Sequence, residues 1–468
     1  MKNIILYASQ DILFQAVSKL EQKKLVRIVN VFSEYKLNHP QYIDKGIFFD
    51  YLISDKYDDL IKESIKDMYF DEQIYDKVYS HINEIIELIN RLDLYQIQQT
   101  HNAINQFNIW YRFFYSIFKK NNIDYIIFEN YPHSGVSIVL YYLAKYLGIK
   151  TIFLKQELEI ETNTPIISYF YDLSDFGVYK DMQRKYRESR IILDKEFKKK
   201  LSYMKNLNSY DCYKINNSKH TTLAFISRFA AKLTKKVLLN KKSYRKVEHY
   251  IPAKIRQLCL QYKYVNNLKK AISINFSFNQ KFVYFPLHLQ PELTTCPLAG
   301  IYNDQLLAIE RLSQIIPKDW YIYVKENPKQ TEFQRPASFF KRLKLINNVI
   351  LVPASVDTYD LIQNAQFVAT PTGTAAYESI TGGKPAMIFG KAWWSNLPGI
   401  FKYHEKFDIN ELLNYKINFC DLEYKINDFY SKCIIGVLDD HRLKKLIPNF
   451  SIEKNINNLE NLLITLLK

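Results

Sequence analysis

The sequence is short of the patterns that announce several large classes of protein. Its five cysteines, Cys212, Cys259, Cys296, Cys420 and Cys433, stand far apart, with no Cys-x-x-Cys and no Cys/His pairing at zinc spacing. A disulfide framework and a structural zinc site therefore lack support, and the expected setting is a reducing cytoplasm. No apolar run approaches the roughly 20 residues that span a bilayer, and the longest, Val136 to Ala144, is less than half that. The opening run Met1 to Tyr7 is stopped by Gln10 and Asp11 and lacks a small-residue cleavage site, so it reads as a buried first strand and not as a signal peptide. Glycine is scarce, 11 of 468 residues, and forms neither Gly-x-Gly-x-x-Gly nor a Walker loop. Nicotinamide-dinucleotide and P-loop readings lose their usual support. There is no Asp-x-Asp clamp for a divalent metal, no fixed-period repeat and no low-complexity tract. Neither a metal nor a cofactor is expected.

What is present is 47% apolar and 24% charged, the balance of a folded globular chain, at a length that suits two or three domains. The net charge of +16 is local. Residues 180–270 hold 25 basic and 6 acidic residues, a net of +19, which leaves −3 for the rest. Three readings of this segment stay open: a lysine-rich solvated helix, a surface for anionic membrane or polyanionic glycan using the amphipathic stretch Phe225 to Leu239, and a nucleic-acid site. The slightly acidic remainder ranks nucleic acid lowest. A membrane role would place the chain at the inner face of the cytoplasmic membrane.

Short apolar runs alternate with helical patterns, the signature of a parallel sheet covered on both faces. In the first part the strands are Ile4 to Tyr7, Val26 to Phe32, Ile123 to Phe128 and Thr151 to Leu154, with helices between Tyr51 and Lys120 and from Ser134 to Tyr146. A second series has strands at Phe282 to Phe285, Trp320 to Val324, Val349 to Val352, Phe367 to Ala369 and Ala386 to Phe389, with helices between them. The expected fold is α/β: a Rossmann-like domain over 1–179, a basic helical linker or insertion over 180–270, a second Rossmann-like domain over 271–406, and C-terminal helices over 407–468 that return toward the first domain.

In doubly wound sheets the ligand lies off the carboxyl ends of the strands, where loop amides and helix N-termini converge. After the strand ending at Phe285 come His288, Gln290 and Glu292; a nitrogen base, an amide and a carboxylate there suit ligand contact, and equally suit a proline-rich turn with a bonded histidine. After Val324 come Lys325, Glu326 and Asn327, able to bind an anionic or hydroxylated ligand or to form a solvated ion pair. The segment Thr370 to Ser379 is the most informative. Thr372, Gly373 and Thr374 place hydroxyls and a close-approach glycine ahead of a helix, as phosphate recognition requires, and Glu378 lies one turn inside, where a carboxylate accepts from a ribose. Thr372 also fits an ordinary N-cap. Five of the eleven glycines fall in the 27 residues from Gly373 to Gly399. In the first domain, Glu129 and His133 follow one strand, and Lys155-Gln156-Glu157 end the next. A carboxylate or an imidazole there could serve as general base or nucleophile, although acidic loop tips are more often only solvated.

The segments Phe285-Pro286-Leu287-His288-Leu289-Gln290-Pro291-Glu292, Tyr323-Val324-Lys325-Glu326-Asn327-Pro328 and Thr372-Gly373-Thr374-Ala375-Ala376-Tyr377-Glu378, with Gly383-Lys384-Pro385, resemble bacterial capsule and surface-polysaccharide biosynthesis glycosyltransferases of GT-B architecture. These include the group related to capsule Kdo transferases. The resemblance covers about 282–390, extends to Pro132-His133-Ser134-Gly135, and leaves out 180–270. It implies two facing Rossmann-like domains, a nucleotide-sugar donor on the second, a glycan or lipid-linked glycan acceptor between them, and no essential metal. Thr372, Gly373 and Thr374 would then hold the donor phosphate and Glu378 the ribose. His288, Gln290 and Lys325 would neutralise or orient the leaving group, with Glu292, Glu326 and Asn327 nearby, and Glu129, His133 or Glu157 would act as base or nucleophile. Relatives often carry His-Pro after the Lys-Glu, a motif associated with a cytidine nucleotide, and Asn327-Pro328 stands there instead, so a CMP-Kdo-like donor is one option among several. A sugar-nucleotide epimerase on the same architecture, which needs no acceptor, and a non-catalytic glycan-assembly protein at the membrane are the alternatives.

Overall fold

The computed structural model describes residues 1–33, 40–42, 46–48, 62, 70–92, 100–193, 244–439 and 451–468. The expected helix Phe225 to Leu239 and the rest of 194–243 lie outside the described residues, so the reading of that part of the basic segment stays as it was.

The first half runs β1 (Lys2–Tyr7), α1 (Asp11–Gln22), β2 (Val26–Ser33), β3 (Gly46–Phe48), α2 (Glu72–Tyr79), α3 (Ile82–Leu92), α4 (Thr100–Lys120), β4 (Tyr125–Phe128), α5 (Gly135–Tyr146), β5 (Lys150–Glu159) and β6 (Thr164–Phe170). Strands β3, β2, β1, β4 and β5 pair parallel in that order, and β6 closes on β5 antiparallel. All four residues of β4 are buried, because helices cover the sheet on both sides. Helix α5 is apolar nearly all round for the same reason: it lies beneath α2, α3 and α4. It starts at a capping box between Ser134 and Ser137 and stops at Gly148, whose φ of +74° only glycine adopts without strain.

Strand β5 differs from expectation. The polar run Lys155-Gln156-Glu157 reads as a strand end, yet it pairs with Ser168, Ile167 and Ile166 of β6, so Glu157 sits in mid-strand. Ladder bonds use backbone groups, and an apolar partner strand carries a polar one along.

The second half runs α6 (Tyr244–Ala271), β7 (Phe282–Pro286), α7 (Gln305–Ile315), β8 (Tyr321–Lys325), α8 (Ala337–Leu345), β9 (Val349–Val352), α9 (Thr358–Asn364), β10 (Phe367–Thr370), α10 (Thr374–Thr381), β11 (Ala386–Ile388) and β12 (Ile400–Lys402). Its sheet is parallel throughout in the order β9-β8-β7-β10-β11-β12, reversing direction between β7 and β10. The sixth strand, Ile400 to Lys402, is too short to show a period and was not expected from the sequence.

The chain then returns. After α11 (Ile409–Leu413) and α12 (Phe419–Ser431), a two-residue strand β13 (Ile434–Ile435) pairs antiparallel with β6, and α13 (Ile452–Leu466) packs on α1. Lys23 Nζ meets Glu460 at 2.5 Å and Lys19 Nζ donates to Asn457 at 2.7 Å. The tail expected to be wholly helical therefore contributes a strand as well. Between the halves, Arg91 donates to the Cys296 carbonyl at 2.8 Å and Lys391 to the Leu173 carbonyl at 3.3 Å. The Glu161 carboxylate, at the β5–β6 turn, accepts from the hydroxyls of Tyr377 on α10 and Tyr430 on α12.

Candidate functional site

At the carboxyl edge of the first sheet, where β1 and β4 part, a pocket of roughly 180 Å³ is lined by first-half residues alone, among them Ser9, Glu129, Tyr131 and His133. Glu129 accepts from the Ser9 amide at 2.7 Å, the Ser9 hydroxyl at 2.6 Å and the Gln10 amide at 3.0 Å. Its carboxylate thus ties β4 to the start of α1, and each of these bonds occupies a lone pair a base would need. His133 lines the same pocket. Its Nδ1 lies 2.7 Å from the Tyr131 carbonyl, which can only accept, so in the neutral ring the proton sits on Nδ1 and the lone pair on Nε2. Glu157 belongs to neither this pocket's lining nor the second sheet. Its Oε1 is buried without a hydrogen-bond partner, and burial pushes its carboxyl up to about 7, partly offset by Lys155.

At the carboxyl edge of the second sheet the order of strands reverses between β7 and β10, and the loops after both strands converge. The glycine turn is built by His288. Its Nε2 accepts from the Thr372 amide at 3.3 Å and lies 2.9 Å from the Thr370 hydroxyl, which in turn accepts from the Gly373 amide at 3.2 Å. Burial, and secondarily the Arg335 charge, lowers the His288 ring to about 4, so it is neutral near pH 7. Of the two expected roles, to neutralise or to orient a leaving group, a neutral ring carries no charge for the first, and here the ring holds the turn. Thr372 is spent locally too, its hydroxyl donating to the Thr294 carbonyl at 2.6 Å. The N-cap of α10 is Gly373 and not Thr372, and glycine offers no side chain to the first-turn amides. A Cβ at Gly373 would stand 2.7 Å from the Thr370 Oγ1 and 3.2 Å from the His288 Nε2, which explains the residue on space alone. Thr374 is exposed at the first position of α10, and its hydroxyl bonds to Glu378, whose half-buried carboxyl is pushed up to about 7 by burial. Lys325, at the end of β8, donates to the Val356 carbonyl at 2.6 Å and the Thr358 hydroxyl at 3.0 Å, and burial lowers its pKa.

Of the remaining expected donor contacts, Gln290 and Glu326 are part of a buried frame. Arg335, which the sequence reading missed, has no exposed side-chain surface and donates to Glu326 at 2.9 Å, to the His288 carbonyl at 3.0 Å and to the Gln290 side chain. Gln290 also accepts from Gln305 at 2.7 Å and donates to the Asn303 carbonyl at 2.7 Å. Glu326 and Gln290 thus fix the loop that carries His288. Asn327 closes a short turn, its Oδ1 accepting from the Lys329 amide at 2.9 Å, and the exposed Glu292 accepts from Thr294 at 3.1 Å. No local signal marks Arg335, because its partners lie 9, 45 and 47 residues away. Among the described residues, no group of three or more His, Cys, Asp or Glu side chains is placed to hold a metal ion.

Two doubly wound halves, each reversing its strand order at a central pair, with the chain crossing back at its C-terminal end, define the GT-B type of architecture. The model of the family described as capsule polysaccharide biosynthesis protein matches residues 170–408, just over half of the chain, and the chain belongs to that family. No curated protein matches it. Solved structures to which it is similar include KpsC of Thermosulfurimonas dismutans, a beta Kdo 2,7 transferase, at 12% identity over 99% of both chains with a TM-score of 0.31. The UDP-GlcNAc 2-epimerase of Methanocaldococcus jannaschii matches at 11% identity over 92% of this chain and 98% of that one, TM-score 0.26. An α,α-trehalose-phosphate synthase of Burkholderia vietnamiensis matches at 8% over 100% and 99%, TM-score 0.27. Likenesses this loose carry nothing about the reaction.

Proposed function

We propose that the chain is a glycosyltransferase of capsule or surface-polysaccharide synthesis that takes a sugar from a nucleotide-sugar donor and passes it to a glycan or lipid-linked glycan. One contrast carries the reading. At the first sheet α5 is capped by Ser134, and just ahead of α1, whose N-cap Gln10 makes no side-chain cap bond, the Glu129 carboxylate already holds the Ser9 and Gln10 amides, whereas α10 begins at a glycine with no side-chain cap. An anion such as a donor phosphate fits that uncapped end, where the helix dipole favours negative charge. Glu378 and Thr374, one turn apart, offer an acceptor and a hydroxyl to a ribose.

Charge grows on the departing nucleotide as the glycosidic bond breaks, so fixed amides and the Lys325 ammonium would stabilise the transition state more than the ground state. Nε2 of His133, in the first-half pocket, would take the proton of the attacking acceptor hydroxyl. Family membership supports the polysaccharide context.

The test is a thermal-shift panel of CMP, UDP and GDP on the parent, Thr374→Ala and Glu378→Ala. One nucleotide should stabilise the parent, and each substitution should weaken it about tenfold to a hundredfold, the worth of a hydrogen bond to a charged group. Stabilisation by none of the three, or by one that ignores both substitutions, sinks the donor site. Conversion of a nucleotide sugar with no acceptor present would instead favour an epimerase.

A further inference from the structure

The basic excess of residues 180–270 is described only at its two ends, and the second of these, α6, forms a surface. From 256 to 271 the helix carries Arg256, Lys263, Lys269 and Lys270, all exposed, and no acidic residue. Its apolar stripe, buried at Tyr264 and partly buried at Leu268 and Ala271, faces α8, where the rings of Tyr264 and Phe340 stand 6.1 Å apart. The end of α8 is basic as well, with Lys341 and Lys344 exposed. Lys344 Nζ donates to the Lys270 carbonyl at 2.8 Å, so the C-terminal ends of the two helices meet.

Large apolar side chains stand in solvent at this junction. Leu345, next to Lys344, is 79% exposed, and Ile274, four residues past Lys270, is 80% exposed. Single exposed apolar residues are ordinary, but a pair of them among lysines is the pattern of an interfacial surface. Residues 194–243, which precede α6, hold 13 basic and 3 acidic residues, so the sequence there adds positive charge and no net counter-charge. A soluble polyanion would satisfy the lysines and leave Leu345 and Ile274 in water. An anionic bilayer answers both, with ammonium groups among the lipid phosphates and apolar side chains at the acyl boundary. Among the described residues no helix is long and apolar enough to cross a membrane, so the contact is interfacial.

We propose that the joined C-terminal ends of α6 and α8 dock on an anionic lipid bilayer. The two ends meet beside β9, the outermost strand of the second sheet: α8 leads into it, and Ile272, just past α6, bridges to its Leu351. The Gly373 turn follows β10, three strands away, so docking at this outer strand leaves it uncovered. The inference rests on charge and exposure and stands apart from the transferase reading.

The test is co-sedimentation of the full chain with phosphatidylcholine vesicles, with and without phosphatidylglycerol, alongside binding to heparin. The parent should bind only the vesicles with phosphatidylglycerol, and less so at high salt. Each lysine near such a surface contributes roughly fivefold in partition, so Lys263→Glu, Lys269→Glu and Lys270→Glu together should weaken binding by more than about a hundredfold. Leu345→Ser with Ile274→Ser should weaken vesicle binding about tenfold and leave heparin binding unchanged. All these side chains are exposed, so melting temperatures should match the parent. The proposal is overturned if the parent ignores anionic vesicles or if both variants bind them like the parent, which would assign binding elsewhere. It is also overturned if the serine pair has no effect while the charge reversals weaken heparin and vesicles alike, the mark of a surface for soluble polyanions.

Discussion

Arg335 should be the costliest single charge to remove from the second half. Its guanidinium, wholly buried, holds Glu326, Gln290 and the His288 carbonyl at once and lies 4.6 Å from the centre of the Phe339 ring. Arg335→Met keeps most of the packing volume but leaves the Glu326 carboxylate, itself 6% exposed, without a cation. Breaking one side of such a buried pair costs about 3–5 kcal/mol. With a urea slope of about 2 kcal/mol per molar for a domain of this size, the midpoint should fall by roughly 2 M. Tryptophan fluorescence reports it well, because Trp320, Trp393 and Trp394 lie in the second half and only Trp110 in the first. The paired variant Glu326→Leu with Arg335→Met removes both charges and should recover most of the loss. A single variant that costs under about 1 kcal/mol, or a paired variant no more stable than the single one, would refute the reasoning that the frame is held by this ion pair.

Gly373→Ala needs no unusual backbone, since φ is −73°, but its Cβ would crowd the Thr370 hydroxyl and His288. A loss of about 1–3 kcal/mol is expected in melting curves, with a smaller nucleotide-induced shift; an unperturbed alanine variant would show the turn to be loose. Glu157→Gln tests burial by pH. The folded pKa of about 7 lies above the unfolded value, so the neutral acid is the stable form, and its contribution is complete below about 4.5 and lost as pH rises through 7. The glutamine variant should therefore match the parent near pH 4 and exceed it by up to about 3 kcal/mol at pH 8, in urea titrations at both pH values. Equal stability at pH 8 would mean that the carboxylate is solvated.

The sequence by itself determined the central strands of the two sheets. Apolar runs such as Tyr125 to Phe128 and Phe367 to Thr370 are buried on both faces, and that burial is written in consecutive residues. It also located the turn at Gly373 and the carboxyl-edge loops, because strand ends and glycines are local signals. Which side chains in those loops remain for a ligand was decided only by tertiary structure. His288, Gln290, Glu326 and Thr372 have the same chemistry as ligand-binding residues, yet partners far along the chain, Arg335 above all, occupy them. Strand β13 and the polar half of β5 were equally hidden, since their place comes from pairing with β6 and not from any period of their own. Local periodicity can be read along one stretch of chain; the use of a polar side chain depends on what folding brings beside it.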